Sequence, residues 1–152
     1  MKLPEYDIQI KNKPATFEYY IEDNLVAGMV LTGSEIKSIR AGRVSFNDSY
    51  CLFQNGELWV KSLHISEYAN AGYAGHAPTR DRKLLLNARE IRKWEQKIKE
   101  KGLTIVPLMV FVNEKGKAKM EIGLGRGKKL HDKRESIKGR EAEREMKRLV
   151  KR

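Results

Sequence analysis

Three observations predict an α+β chain that is mainly β. Apolar residues alternate with polar ones in several short runs, two of these runs are joined by an Asn-Gly turn, and two capping patterns mark only short helices. About six strands in antiparallel hairpins with two to three short helices are expected. An antiparallel body of this size has to remove its edges, so a six-stranded OB-like barrel is the natural closure. Residues 1–14 read as a mobile arm, 15–125 as the body and 126–152 as a basic tail.

Met1–Pro14 is polar. Ala15–Glu22 reads as a strand, with Phe17, Tyr19 and Ile21 in alternation, broken at Asn24. Val26–Leu31 reads as a second extended segment or a bent continuation, with Gly28 allowing a bulge. Thr32-Gly33-Ser34-Glu35 is a capping box, and Ile36 and Ile39 follow at helical spacing until Gly42. Lys37 and Arg40, three apart, then share the opposite face. Ser49–Gln54 and Glu57–Leu63 flank Asn55-Gly56, which favours a type I′ hairpin. Leu58 and Val60 fall on one face and Trp59 and Leu63 on the other. Cys51 lies within the first run and is expected to be buried and inert.

His64–Arg80 is a long irregular connection carrying Tyr68, Tyr73 and His76. His64 and His76 lack a third ligand at recognisable spacing, so no metal is expected. Arg80-Asp81-Arg82-Lys83 is a basic cluster before Leu84-Leu85-Leu86. Asn87 and Glu90 form a second capping box, and Ile91, Trp94 and Ile98 give the helix one apolar stripe that ends at Gly102. Leu103–Val112 reads as a buried strand with Pro107 at a bulge or edge. Asn113–Gly116 is a turn, and Ala118, Met120, Ile122 and Leu124 form a half-buried strand that completes a second hairpin.

Charge is distributed unevenly. The chain of 152 residues carries a formal net charge of +11. Residues 126–152 hold 12 Lys/Arg against 5 Asp/Glu, a balance of +7, whereas the other 125 residues hold 19 against 15, a balance of +4. Such asymmetry points to a polyanionic partner. In the tail, Ala142, Met146, Leu149 and Val150 make a narrow apolar stripe interrupted at Gly139. A helix of that kind is marginal alone, so the tail is expected to be disordered free and helical when docked. A small apolar face without aromatics argues against a membrane helix.

The single cysteine excludes an intramolecular disulfide and a thiolate zinc site. No apolar run approaches a membrane span and the N-terminus lacks a signal-peptide core, so a cytoplasmic protein is expected. No Gly-x-Ser-x-Gly, P-loop, Cys–His pair or convincing carboxylate pair is present, and no enzyme or cofactor is expected. Glycines 123, 125 and 127 before Lys128-Lys129 lack Walker spacing. Residue chemistry thus reaches a basic RNA- or DNA-binding protein with an inducible tail; a general OB-fold RNA binder or a ribosome-associated protein is the alternative.

Several blocks carry a more specific resemblance. They are Asn12-Lys13, Ala27-Gly28, Leu31-Thr-Gly-Ser-Glu-Ile-Lys-Ser-Ile-Arg40-Ala-Gly, Asp48-Ser-Tyr50, Gly56-Glu57, His64-Ile65, Arg80-Asp-Arg-Lys-Leu-Leu-Leu-Asn87, Lys101-Gly102 and Gly127-Lys-Lys-Leu-His-Asp-Lys-Arg134. In that order, over nearly the whole chain, the sequence resembles the SmpB (SsrA-binding protein) family of bacterial trans-translation. The resemblance implies a non-enzymatic protein that binds the tRNA-like domain of tmRNA and delivers it to stalled ribosomes with elongation factor Tu–GTP. It implies that Asn12, Lys13, Lys37, Ser38, Arg40, Arg80, Arg82, Lys83, Leu85, Asn87 and Lys119 belong to the RNA-binding body, with Arg80, Arg82 and Lys83 on phosphates and Leu85 under an unpaired base. It implies that Gly127, Lys128, Lys129, His131, Asp132, Lys133, Arg134, Lys138 and Arg140 belong to a tail that reads the decoding centre and the empty message channel. Val26, Pro14 and Gly139 depart from the family pattern, Val26 standing where many relatives carry an acid.

Overall fold

The computed structural model describes residues 8–67 and 76–128. The expectations for residues 1–7, for Tyr68 and Tyr73 of the long connection, and for the tail beyond Lys128 lie outside the described residues.

Six strands close into a ring: β2 (Tyr19–Met29), β4 (Tyr50–Gln54), β5 (Glu57–Lys61), β7 (Arg82–Leu85), β8 (Thr104–Val112) and β9 (Ala118–Gly127). The order β8-β4-β5-β7-β2-β9 returns to β8 through the β8–β9 hairpin, and every pairing is antiparallel. The barrel is therefore the expected six-stranded, OB-like one. The strands β1 (Gln9–Lys11), which lies along the outer half of β8, and β3 (Val44–Ser45), which pairs with β6 (His64–Ile65), are short additions. Gln9–Lys11 was expected in a mobile arm; its backbone instead pairs with Met109–Phe111.

Local chemistry explains the elements. Asn55 and Gly56 both take positive φ (54° and 75°), as a type I′ turn requires. Thr32 and Asn87 head α2 (Gly33–Arg40) and α3 (Ala88–Lys101) with complete capping boxes, and Gly102 ends α3 in the left-handed conformation. Trp94 is the fully buried residue of α3, and its indole N–H donates to Asp23 Oδ2 at 3.0 Å. A bulge follows Pro107 in β8, as the proline predicts. Leu58, Val60, Leu84, Met120, Ile122 and Leu124 fill the barrel interior together with Leu63. Leu63 joins them because Ser62 takes φ 58° and turns the chain after β5, which undoes the expected Trp59–Leu63 face. Among the described residues no helix is long and apolar enough to cross a membrane.

Three expectations near the start fail. Ala15–Glu18 forms a helical turn, α1, because Pro14 already holds helical φ and ψ and Ala15 is buried. The strand then runs unbroken through Asn24, whose side chain donates to Glu121 Oε1 at 3.0 Å across the β2–β9 pair. The bulge lies at Glu22, between Ile21 and Asp23, and not at Gly28.

That bulge presses β2 onto β9 and accounts for the glycines there. A Cβ on Gly125 would sit 2.1 Å from the Tyr20 carbonyl oxygen, and one on Gly123 would meet Leu108 Cδ1 at 2.9 Å and Ile21 Cγ2 at 3.0 Å. Gly127 has nothing within 4 Å of such a Cβ. Gly125→Ala is expected to destabilise the barrel by about 3 kcal/mol or more, because the obstacle is backbone. Gly127→Ala should stay within about 0.5 kcal/mol. Urea denaturation of the two variants checks both.

Candidate nucleic-acid interface

The outer barrel face gathers part of the expected set. Ala27, Leu84, Ala118 and Met120 point inward, so strand alternation turns Val26, Gly28, Leu85 and Lys119 outward. The register places Gly28 across from Leu85 on one side and from Lys119 on the other. A Cβ at Gly28 would touch Leu85 Cβ at 3.5 Å and Lys119 Nζ at 3.6 Å. The glycine thus forms the floor of a shallow step between an ammonium group and an isobutyl group. Leu85 is 51% exposed, the most exposed large hydrophobic among the described residues. Val26 extends the apolar surface along β2, directly across from Glu121.

Asn87 continues the row two residues past Leu85. Its Oδ1 caps α3 on the Glu90 amide at 2.9 Å, so the NH2 is the donating half of the side chain. Asn12 and Lys13 line an open cleft of about 470 Å³ with Thr16, Asn24 and Glu121, which joins them to the same face. Asn12 also has a structural task, since its Nδ2 donates to the Pro107 carbonyl at 2.7 Å and its backbone N–H to the Leu108 carbonyl at 2.8 Å. Lys37 and Arg40 are exposed on α2, with Arg40 reaching the Gly116 carbonyl in the β8–β9 turn at 3.4 Å.

Arg82 and Ser38 depart from expectation. Arg82 is 0% exposed and has no access to a phosphate. Its Nε is paired with the buried Glu35 carboxylate, its Nη1 donates to the Leu63 carbonyl at 2.6 Å and its Nη2 to the Pro78 carbonyl at 3.0 Å. Ser38 is equally buried and its hydroxyl donates to the Ser66 carbonyl at 2.6 Å. Arg80 holds the other Glu35 oxygen at 2.5 Å and the Val30 carbonyl at 3.3 Å, and Lys83 pairs with Glu57 at 3.0 Å. Within the basic cluster Arg82 is buried, and Arg80 and Lys83 are half-buried and ion-paired, whereas Lys13, Lys37 and Arg40 are exposed and Lys119 is half-buried.

His76 is buried. Its Nε2 lies 2.8 Å from the Ile65 carbonyl and its Nδ1 2.8 Å from Ser34 Oγ. A carbonyl only accepts, so Nε2 carries a proton. Among the described residues no three His, Cys, Asp or Glu side chains gather to hold a metal. Burial pushes the Cys51 thiol well up, as an inert core residue requires.

At the end of β9, Gly127 pairs with Tyr19 and the Lys128 amide donates to the Glu18 carbonyl at 2.8 Å. Gly127 and Lys128 are therefore anchored to the barrel, although both were assigned to the tail. Lys129, His131, Asp132, Lys133, Arg134, Lys138 and Arg140 lie outside the described residues.

The glycine floor and the anchor at Lys128 escaped sequence reasoning, whereas Val26 was singled out only as a departure from the family pattern. Alternation along β2 and β9 was the available signal for the floor. For Arg82 the signal was its position two residues before Leu84, on the inward side of the same strand.

A family model described as SmpB protein matches residues 9–152. The SsrA-binding protein of Phocaeicola vulgatus is 54% identical over 145 residues, covering 95% of this chain and 97% of its own. That of Bacteroides thetaiotaomicron is 52% identical over 152 residues, covering 100% of both. A solved chain described under "tmRNA-SmpB: a journey to the center of the bacterial ribosome" superposes with a TM-score of 0.70 at 42% identity, covering 86% of this chain and 94% of that one.

Glu35 makes the body's stability depend on pH. Burial opposes its charge, but hydrogen bonds from Arg80, the Thr32 amide and Arg82 outweigh burial and hold the carboxyl down to about 2. A depressed folded pKa stabilises above the ordinary carboxylate value, and that stabilisation is lost as pH falls from about 5 to about 2. The shift corresponds to about 3 kcal/mol. Glu35→Gln is expected to cost about 3–5 kcal/mol at neutral pH, because it strands Arg82. The gap between wild type and Glu35→Gln in urea melts should then narrow below about pH 5.

Proposed function

The chain belongs to the SmpB family, and on that footing we propose that it binds the tRNA-like domain of tmRNA and brings it to stalled ribosomes for trans-translation. The observation that carries this reading is the row Lys119–Gly28–Leu85, continued by Asn87. An exposed leucine beside a glycine floor gives an unpaired base an apolar seat, and the flanking ammonium meets a phosphate. A flat apolar step of this kind suits a folded RNA with a splayed base. It suits a continuous single strand less well, which needs a series of aromatic platforms.

The division of labour follows from where charge sits. The barrel recognises RNA shape, while residues 129–152, with 10 Lys/Arg against 5 Asp/Glu, enter the decoding centre and the message channel. Elongation factor Tu–GTP joins through the RNA complex. The protein acts in the cytoplasm as a binding protein with no reaction of its own.

Leu85→Ala and Lys119→Ala should each weaken binding to the tRNA-like domain of tmRNA about tenfold. Both side chains lie on the barrel's outside, so the thermal midpoint should move little. Truncation after Lys128 keeps the anchored end of β9 and is expected to retain this binding while abolishing peptide tagging on stalled ribosomes. Full affinity in both point variants would sink the assignment of this face, and tagging by the truncated chain would sink the division of labour.

A further inference from the structure

The place where the chain leaves the barrel is built as a clasp. α1 is four residues long with no basic residue in its last turn; the Tyr19 amide donates to its Ala15 carbonyl, and partners for other carbonyls come from outside the helix. Lys128 supplies two: its amide donates to the Glu18 carbonyl at 2.8 Å and its ammonium to the Thr16 carbonyl at 3.2 Å. The same ammonium lies 4.9 Å from the centroid of the Tyr20 ring. Arg126, paired with Tyr20 across β2–β9, brings its guanidinium to 5.7 Å of that ring.

Two cations two residues apart on one strand face repel each other. An aromatic face shared by both offsets that repulsion without neutralising either charge. Tyr20 is 43% exposed, so its ring contributes little to the core. The backbone beneath it is fixed independently by the close approach of Gly125 to the Tyr20 carbonyl.

We propose that Tyr20 is a positioning residue for the C-terminal tail: with Arg126, Lys128 and the carbonyl end of α1 it fixes the point and direction at which the tail departs from the barrel. This rests on the function proposed above, because direction matters only if the barrel is held by one RNA surface while the tail enters another. Two linked contacts reinforce each other only when the link can span them in the right geometry. A clasp at Lys128 sets that geometry at the first residue of the link.

The test compares full-length Tyr20→Leu and Tyr20→Phe with wild type. Amide hydrogen exchange at Lys128, measured without RNA, reads the clasp directly. Tyr20→Leu should raise it about tenfold, and Tyr20→Phe, which keeps the ring, should leave it near wild type. Affinity for the tRNA-like domain of tmRNA and the thermal midpoint should be unchanged in both. Peptide tagging in a reconstituted stalled-ribosome assay should fall about tenfold for Tyr20→Leu and recover in Tyr20→Phe.

Unchanged exchange at Lys128 or full tagging by Tyr20→Leu would overturn the proposal. So would a tagging loss matched by an equal loss of RNA affinity, or one that phenylalanine fails to restore. Absence of tagging by wild type would instead overturn the functional reading, and the exchange measurement would still report on the clasp.

Discussion

The buried carboxylate of Glu35 is the interaction on which the body's arrangement depends. It sits in the first turn of α2, where its side chain also closes the capping box on the Thr32 amide at 2.9 Å. From there it holds Arg80 and Arg82. Arg82 in turn reaches the Leu63 and Pro78 carbonyls. One charge therefore ties a helix start, the end of the long connection and strand β7 together. Strand β7 is the member of the ring that carries Leu85, and α3 begins three residues after it with Asn87 as its cap. The interior hub thus fixes the strand that presents the outer face.

A buried ion pair is weak evidence for net stability, since desolvation consumes much of its attraction. Its value here is geometric. Removing one partner leaves a stranded charge, so the three side chains hold one arrangement of α2 against β7. The same logic explains why so much of the basic cluster at 80–83 faces inward or pairs locally. Those charges hold α2, the end of the long connection and β7 together.

Local chemistry was legible in the sequence. Both capping boxes, the Asn55-Gly56 turn, the proline bulge and the inward alternation of Ala118 to Leu124 each depend on neighbours within a few positions. Ring closure depends on pairings such as Cys51 with Ile105 and Gly28 with Lys119, which no local pattern encodes. Arg82 was misjudged because a run of charges reads as solvated unless its strand phase is followed, and the phase sets Arg82 beside Leu84 on the inner side. Glycines 123 and 125 lack the spacing of a phosphate loop. Their actual cause is steric, the press of a bulged β2 against β9. Ala15–Glu18 carried strand-like alternation, yet Pro14 had already set the helical turn.

In the proposed function, recognition by the barrel's outer face and a separate role for the basic tail divide two jobs that a single basic surface would confuse. Salt dependence and competition distinguish them, because a shaped site keeps its preference when bulk charge is screened. The most direct measurement is binding of the full chain to the tRNA-like domain of tmRNA, titrated across salt and competed with bulk single-stranded RNA. Saturable binding that resists the competitor and retains its preference at high salt is the result expected of a barrel that recognises folded RNA. Affinity that falls equally for all RNAs, at a log–log slope of about −0.7 per neutralised phosphate, would contradict it and reduce the chain to a generic polycation.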